Sequence, residues 1–252
     1  MGRLQDKTAL VTGGRQGIGR AIVDTFVQER AQVFTCGRGE RPINLPDPIH
    51  WQTCDVSNAK NVRALKETIV KNFGKLSILV NNAGGGQIEK NVVDTTDDDW
   101  DALMGVNAKG VFLTCREFIP VVSKGGSIIN IGSISGNVAD PGLALYNAPK
   151  AFVHGLTRSI AVDHGADIRC NAICPGWIMT DMADAAFDVA NDPTAAQKDA
   201  LARHPAGCFG QPEDIANLAV WLASDEAGFA TGQCYTLDGG MTAASPLNSH
   251  LY

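Results

Sequence analysis

Residues 8–19 read TALVTGGRQGIG, and AIVDTFVQE follows from residue 21: a short apolar run breaks at a glycine cluster and resumes with helical spacing. Glycines at 13, 17 and 19 let the backbone turn tightly and approach a pyrophosphate, whose charge is met by the N-terminal end of the following helix. Glycine also marks ordinary tight turns, but a strand before and a helix after favour a dinucleotide site with Gly13, Arg15, Gln16, Gly17, Ile18 and Gly19 at its turn.

Outward from this unit, short runs rich in Val, Ile and Ala alternate with helically spaced segments as far as about residue 240. That alternation predicts a parallel sheet, and continuous apolar runs such as SILVNN and SIINI predict strands covered on both faces. The expected strands are 8–12, 32–36, 50–54, 78–81, 127–131, 167–173 and 234–237. With no linker, repeat or low-complexity tract, the expected fold class is α/β: a single doubly wound Rossmann-type domain over residues 1–252, with a seven-stranded parallel sheet. Residues 37–48, GRGERPINLPDP, carry three prolines, so a loop is expected in place of a crossover helix. Residues 182–210 hold Ala-rich helical pieces where such folds place a segment over the ligand, and are expected to form a lid.

The chain has 252 residues, with 21 Lys and Arg against 27 Asp and Glu, a net charge of −6. That sign opposes binding to nucleic acid or an anionic membrane. Charged residues make up 19% and hydrophobic ones 44%, a globular balance, and no apolar stretch of about 18 residues appears. The N-terminus lacks the apolar core of a secretion signal, so a reducing, cytoplasmic setting is expected. Seven cysteines with no C-x-x-C pair argue against a disulfide framework or a zinc site and for inert thiols. The five histidines are scattered, and His154 and His164 lie too far apart to share a helical face as ligands, so no metal is expected.

After the second strand, a dinucleotide site commonly carries an acidic residue for the ribose of NAD or an arginine for the 2′-phosphate of NADP. Here the strand ends Cys36, Gly37, Arg38. Arg38, helped by Arg15 or Arg41, favours NADP(H) over NAD(H), although three arginines near a loop are also compatible with simple solvation. Asp55 ends the third strand, where it either accepts from the adenine amino group or caps a helix beginning near Ser57. The fourth strand ends in NNAG, with Asn82, Ala83 and Gly84 placing backbone against a ligand or forming a turn. Ser133 follows the fifth strand, and Tyr146 and Lys150 fall on one helix face at i and i+4. An ammonium at about 4 Å stabilises a phenolate by roughly 4 kcal/mol at an effective dielectric near 20, enough for acid/base work near neutral pH.

Taken together, TGGRQGIG, Asp55, NNAG, Asn107 in GVNAKGVF, Ser133, YNAPK, Pro175-Gly176 with Thr180, and Asp238-Gly239-Gly240 resemble the short-chain dehydrogenase/reductase family over nearly the whole chain. The resemblance implies that Tyr146 is the general acid/base, Ser133 holds the substrate oxygen, Lys150 binds the nicotinamide ribose and eases the ionisation of Tyr146, and Asn107 supports a relay water. It also implies cofactor contacts at Asp55, Val56, Asn82, Ala83, Gly84, Pro175, Gly176, Ile178 and Thr180, with Thr180 on the carboxamide. Pro149 departs from the usual pattern and predicts a helix starting close to Tyr146.

The expected activity is interconversion of a secondary alcohol and a ketone. A 3-oxoacyl carrier-protein reductase is the competing reading, opposed by Asp181, Asp184, Asp188, Asp192 and Asp199 in the lid, which would repel an acidic carrier. A nucleotide-sensing module without turnover would need a broken catalytic set, and all four positions are filled. Trp177, Met179, Met182 and Phe187 are expected either to wall a small-molecule substrate site or to pack the lid on the sheet. The resemblance further implies a homotetramer or dimer paired through the helices around 100–118 and 146–163. The tail ending in Leu251-Tyr252 is expected to fray.

Overall fold

Strand residues of alternate parity point to opposite faces, and this sorts the apolar side chains into two cores. Val11, Val80, Ile129 and Ile173 pack with Ile22, Phe26, Ile215 and Leu222 on one face. Their neighbours Leu10, Leu79 and Ile128 pack with Leu65, Ile69, Phe118 and Ile160 on the other. The computed structural model describes residues 2–86 and 89–244; the tail residues Leu251-Tyr252 lie outside them.

The strands are β1 (Thr8–Thr12), β2 (Gln32–Gly37), β3 (His50–Thr53), β4 (Leu76–Asn81), β5 (Val122–Ile131), β6 (Ile168–Pro175) and β7 (Cys234–Leu237). They form one parallel sheet in the order β3-β2-β1-β4-β5-β6-β7. The first face carries α1 (Gly17–Gln28) and, later in the chain, Pro212–Ala223; the second carries α2 (Ala59–Phe73), α4 (Gly110–Phe118) and α5 (Ala144–His164), with α3 (Asp97–Met104) packed against α5. Beyond β6 come α6 (Asp181–Asp188) and α7 (Pro193–Ala202), and the helix over Pro212–Ala223 is α8. No helix among the described residues is long and apolar enough to cross a membrane.

Several boundaries differ from those expected. β5 starts at Val122 because Leu76 pairs with Val122 before the register shifts to Ile78 opposite Ser127. β6 runs on through Cys174 and Pro175, which find partners in Thr236 and Leu237 of β7. α5 begins two residues before Tyr146. Pro149 therefore lies beyond the first turn, where it removes the amide that would donate to the Leu145 carbonyl.

No helix joins β2 to β3, as the prolines require. The intervening loop is instead organised by Arg41, whose guanidinium donates to the carbonyls of Ile49 at 2.7 Å and Leu45 at 2.8 Å and pairs with Asp47 at 3.1 Å. Arg41 is thus committed to its own loop, and its expected part in phosphate recognition is withdrawn.

Beside the switch point, where the chain passes from β1 to strands on either side, β4 and β5 are joined by a buried polar network. Asn81 Nδ2 donates to Asn130 Oδ1 at 2.8 Å, and Asn130 Nδ2 donates to Thr157 Oγ1 on α5 at 2.9 Å. Thr114 Oγ1 on α4 donates to Asn81 Oδ1 at 2.6 Å. The network ties both central strands to α4 and α5. Asn130→Ala leaves the Asn81 amide with only a weak sulfur acceptor, Cys115, and strips Thr157 of its donor. A loss of about 2–3 kcal/mol is expected in chemical denaturation, and an unchanged midpoint would refute a structural role for the network.

Candidate active site

The cleft opens at the C-terminal ends of β1 and β4, where the strand order reverses. Thr12 and Asn82 close its floor. Thr12 Oγ1 accepts from the amides of Asn82 and Ala83, each at 3.0 Å. Asn82 Nδ2 returns to donate to the carbonyls of Thr12 at 2.9 Å and Gly13 at 3.1 Å. Gly13 has φ +72°, and a Cβ on Gly19 would lie 2.2 Å from Asn82 Nδ2 and 2.3 Å from the Gly13 carbonyl oxygen. Both glycines are therefore required by the turn. Asn82 supports the glycine turn from beneath.

A dinucleotide fits this turn on two observations. Gln16 precedes α1 without any side-chain cap, and the first turn has no acidic residue, so the free amides of α1 and its dipole meet no built-in anion. Capping is not generally missing: Asn58 caps α2 and Thr96 with Asp99 forms a capping box on α3. The second observation is the shape of the far wall: the Thr180 methyl would lie 3.4 Å from a Cβ on Gly17, so Thr180 stands across the turn with no side chain between.

Beyond the end of β2, Arg38 and Arg15 are exposed, and neither has an ionic partner among the described residues. Arg15 reaches back beside Gly39, within 3.6 Å of where its Cβ would stand. Gly37 lies beneath the Trp51 ring, and a Cβ there would be 2.9 Å from Trp51 Cη2. The indole thus explains the glycine at this position, a constraint invisible along the sequence. Asp55 Oδ1 accepts from the Ser57 amide at 2.9 Å and hydroxyl at 2.7 Å. The expected capping role of Asp55 is corrected: α2 starts at Ala59, and Asn58 caps it. Val56 is buried beside Gly110.

Ser133 leaves β5 in extended conformation, and its Oγ accepts from the Ser135 amide at 3.1 Å, leaving the hydroxyl proton for another partner. Lys150 is 8% exposed. Its Nζ donates to the Ile131 carbonyl at 3.0 Å and lies 5.6 Å from the centroid of the Tyr146 ring, which is half-buried. An ammonium has three donors, so this contact fixes the lysine and leaves others free. Asn107 sits in a π-helical turn, Gly105–Lys109, between α3 and α4. Its Oδ1 accepts from the Gly85 amide at 3.0 Å, while Nδ2 donates to the carbonyls of Gly85 and Leu103. The side chain thus holds the loop after β4, beside Gly84.

Pro175 ends β6, and Gly176 follows against Asp238, whose Cβ lies 2.7 Å from where a Gly176 Cβ would stand. Asp238 accepts from the Gly240 and Thr242 amides and the Thr242 hydroxyl. Burial works against its charge, but these donors outweigh burial and hold its carboxyl below the usual range. Ile178 is buried and bridges Gly210.

In α6, Phe187 stacks on Trp177 with centroids 4.8 Å apart and meets Phe209 at 5.8 Å. Trp177 and Phe187 therefore pack the segment down, the second of the two expectations for them. Met182 differs: its Cε lies 2.8 Å from where a Gly85 Cβ would stand, bridging α6 and the loop after β4. Gly85, Trp51 and Thr12 were not among the residues singled out from the sequence. Only the glycine run at 84–86 offered a local signal for any of them.

A sequence profile described as enoyl-(acyl carrier protein) reductase matches residues 13–242. The chain is 40% identical over 257 residues to the NADP-dependent (R)-specific alcohol dehydrogenase of Lentilactobacillus kefiri, covering 96% of this chain and 98% of that one. It is 36% identical over 250 residues to the 3-oxoacyl-(acyl-carrier-protein) reductase FabG of Thermotoga maritima, covering 95% and 99%. The ligand-free structure of the aldohexose dehydrogenase AldT of Thermoplasma acidophilum matches with a TM-score of 0.91 and 33% identity over 98% of both chains. With its parallel seven-stranded sheet and these full-length relatives, the chain belongs to the short-chain dehydrogenase/reductase family of oxidoreductases.

Proposed function

We propose that the protein is an NADP(H)-linked enzyme that interconverts a secondary alcohol and a ketone, with Tyr146 as general acid/base. The observation that carries this reading is buried Lys150, which spans from the Tyr146 ring to the Ile131 carbonyl two residues before Ser133. When bound, the nicotinamide supplies or accepts hydride. Ser133 donates its free hydroxyl proton to the substrate oxygen, and Tyr146 gives or takes the proton of that oxygen. Lys150 holds the ribose with its remaining donors. Thr180 orients the carboxamide. The Asn107 side chain is occupied by Gly85 and Leu103, so any relay water is held by its main chain.

NADP(H) is favoured over NAD(H) by exposed Arg15 and Arg38 beside the Gly37–Gly39 turn, and the alcohol dehydrogenase relative of Lentilactobacillus kefiri is described as NADP-dependent. Asp181, Asp184, Asp188, Asp192 and Asp199 are all exposed, which favours a free alcohol or ketone over a substrate on an acidic carrier. We read residues 1–252 as one dinucleotide-binding and catalytic domain, with 182–210 as its lid and Met182 over the substrate. A cytoplasmic setting suits its seven free thiols. Trp100, Phe112 and Phe152 are 50%, 43% and 40% exposed on α3, α4 and α5, and support a homotetramer paired through these helices.

Tyr146→Phe is expected to lower kcat by about 10²–10⁴-fold while leaving NADPH binding intact; normal turnover in the variant would remove the acid/base assignment. In tryptophan-fluorescence titration, Arg38→Ala should weaken NADPH binding by about tenfold or more and leave NADH unchanged, whereas equal losses would point away from a phosphate contact. Phe152→Glu should reduce the mass measured by sedimentation, and an unaltered assembly would exclude α5 from the interface.

A further inference from the structure

Behind Ser133, on the face covered by α5, three metal-ligating side chains converge. His154 on α5, Cys174 near the end of β6 and Cys234 at the start of β7 bring one nitrogen and two sulfurs within 4.8 Å of one another. His154 Nε2 is 3.1 Å from Cys174 Sγ, and its Nδ1 is 3.2 Å from Asn137 Oδ1. An amide oxygen only accepts, so Nδ1 carries the proton and Nε2 presents its lone pair to the sulfur. A histidine whose second nitrogen is anchored in this way has the tautomer and orientation of a metal ligand. Burial and the charges of Arg158 and Lys150 lower its pKa, which keeps the lone pair free.

The two sulfurs suit an ion better than a disulfide. Cys174 pairs with Thr236, so Cys234 is its diagonal neighbour on the same face. Such neighbours stand roughly 7–8 Å apart at Cα, beyond the span of about 4.4–6.8 Å for a disulfide. A zinc-like ion with bonds of about 2.3 Å to sulfur and about 2.0 Å to nitrogen holds ligand atoms about 3.5 Å apart and needs no such approach. Cys234 is half-buried on the edge strand and gives a way in; His154 and Cys174 are buried. Its thiol is lowered to about 7 by its partnership with Cys174 and by Arg158, whose Nη1 lies 3.8 Å away, against the effect of burial. The same partnership and burial push the Cys174 thiol up, so Cys234 gives up its proton first.

We propose that His154, Cys174 and Cys234 form a three-ligand site for a soft d10 cation of the zinc and cadmium class, and that its occupation slows turnover by displacing Ser133. Binding forms one metal–nitrogen and two metal–sulfur bonds and releases one proton from each thiol to water, with no change of oxidation state. The coupling to Ser133 is steric. A Cβ on Gly132 would lie 2.5 Å from His154 Nε2 and 3.2 Å from Cys174 Sγ, and one on Gly136 would lie 2.4 Å from His154 Cε1. Both ligands therefore rest on the backbone that flanks Ser133. Opening the 3.1 Å gap between nitrogen and sulfur to admit an ion presses on that backbone. The three residues are far apart in the chain, which is why spacing alone predicts inert thiols and no metal.

The test uses Cd²⁺ alone, added to the full-length protein without substrate, with the ultraviolet thiolate-to-cadmium charge-transfer band as readout. Saturation at one equivalent per chain is expected, reversed by a chelator. Cys234→Ser should weaken binding at least tenfold, and Asn137→Ala should weaken it by about 10–100-fold through the histidine it anchors. Cys208→Ser, which removes an exposed thiol outside the cluster, should leave the band unchanged. Turnover should fall with the same Cd²⁺ midpoint in the wild type and resist Cd²⁺ in Cys234→Ser. If Cys234→Ser does not fold, Cys234→Ala serves in its place. No band at one equivalent, or an undiminished band in the Cys234 variant, overturns the site. A full band with unaffected turnover overturns the coupling to Ser133.

Discussion

The carboxamide of Asn82 is the point on which the cleft depends. One amide group donates to two successive carbonyls, those of Thr12 and Gly13, while the Thr12 hydroxyl accepts the amides of Asn82 and Ala83. This exchange locks β1 to β4 where their chains diverge. The amides opposite those carbonyls, of Gly13 and Gly14, donate to the Cys36 carbonyl and the Thr35 hydroxyl, so the same turn is also fastened to β2. The close approach leaves no room for a side chain at Gly19, which is why a glycine-rich sequence and a switch point between strands occur together here.

From that clasp, order passes to the Ser133 side of the cleft through polar groups in the sheet. Asn81, next to Asn82, bonds Asn130 across the β4–β5 register, and Asn130 bonds Thr157 of α5. Two turns earlier on α5, Lys150 bonds Ile131, the neighbour of Asn130. Side-chain amides inside a parallel sheet are costly unless every polar group is paired, and here the pairing links α5 to the strand that delivers Ser133. The dinucleotide turn and the Ser133 edge are therefore parts of one hydrogen-bonded frame.

Much of this frame was legible along the chain. The strand at 8–12 and that at 234–237 have the expected bounds, and the proline-rich stretch after Gly37 is a loop, because apolar run length and proline act locally. Strand ends failed where pairing decided them: Cys174 and Pro175 belong to β6 only because β7 lies beside them. Among the arginines after β2, composition could not separate Arg41, engaged by three carbonyls and Asp47 of its own loop, from Arg38, which remains exposed. Asn107 was identified as a site residue, but its hold on Gly85 depends on a π-helical turn that no local propensity announces.

The sequence by itself determined the family, the α/β class and the glycine turn, and it put forward Ser133, Tyr146 and Lys150, because these readings rest on residue types in short motifs met in order along the chain. Tertiary structure alone decided that Trp51 lies over Gly37, that Met182 crosses to Gly85, and that His154, Cys174 and Cys234 meet behind Ser133. Those contacts join residues from different strands and helices. Their distances are set by sheet order and register, which arise from burial of both sheet faces over the whole chain and are written in no one stretch of it.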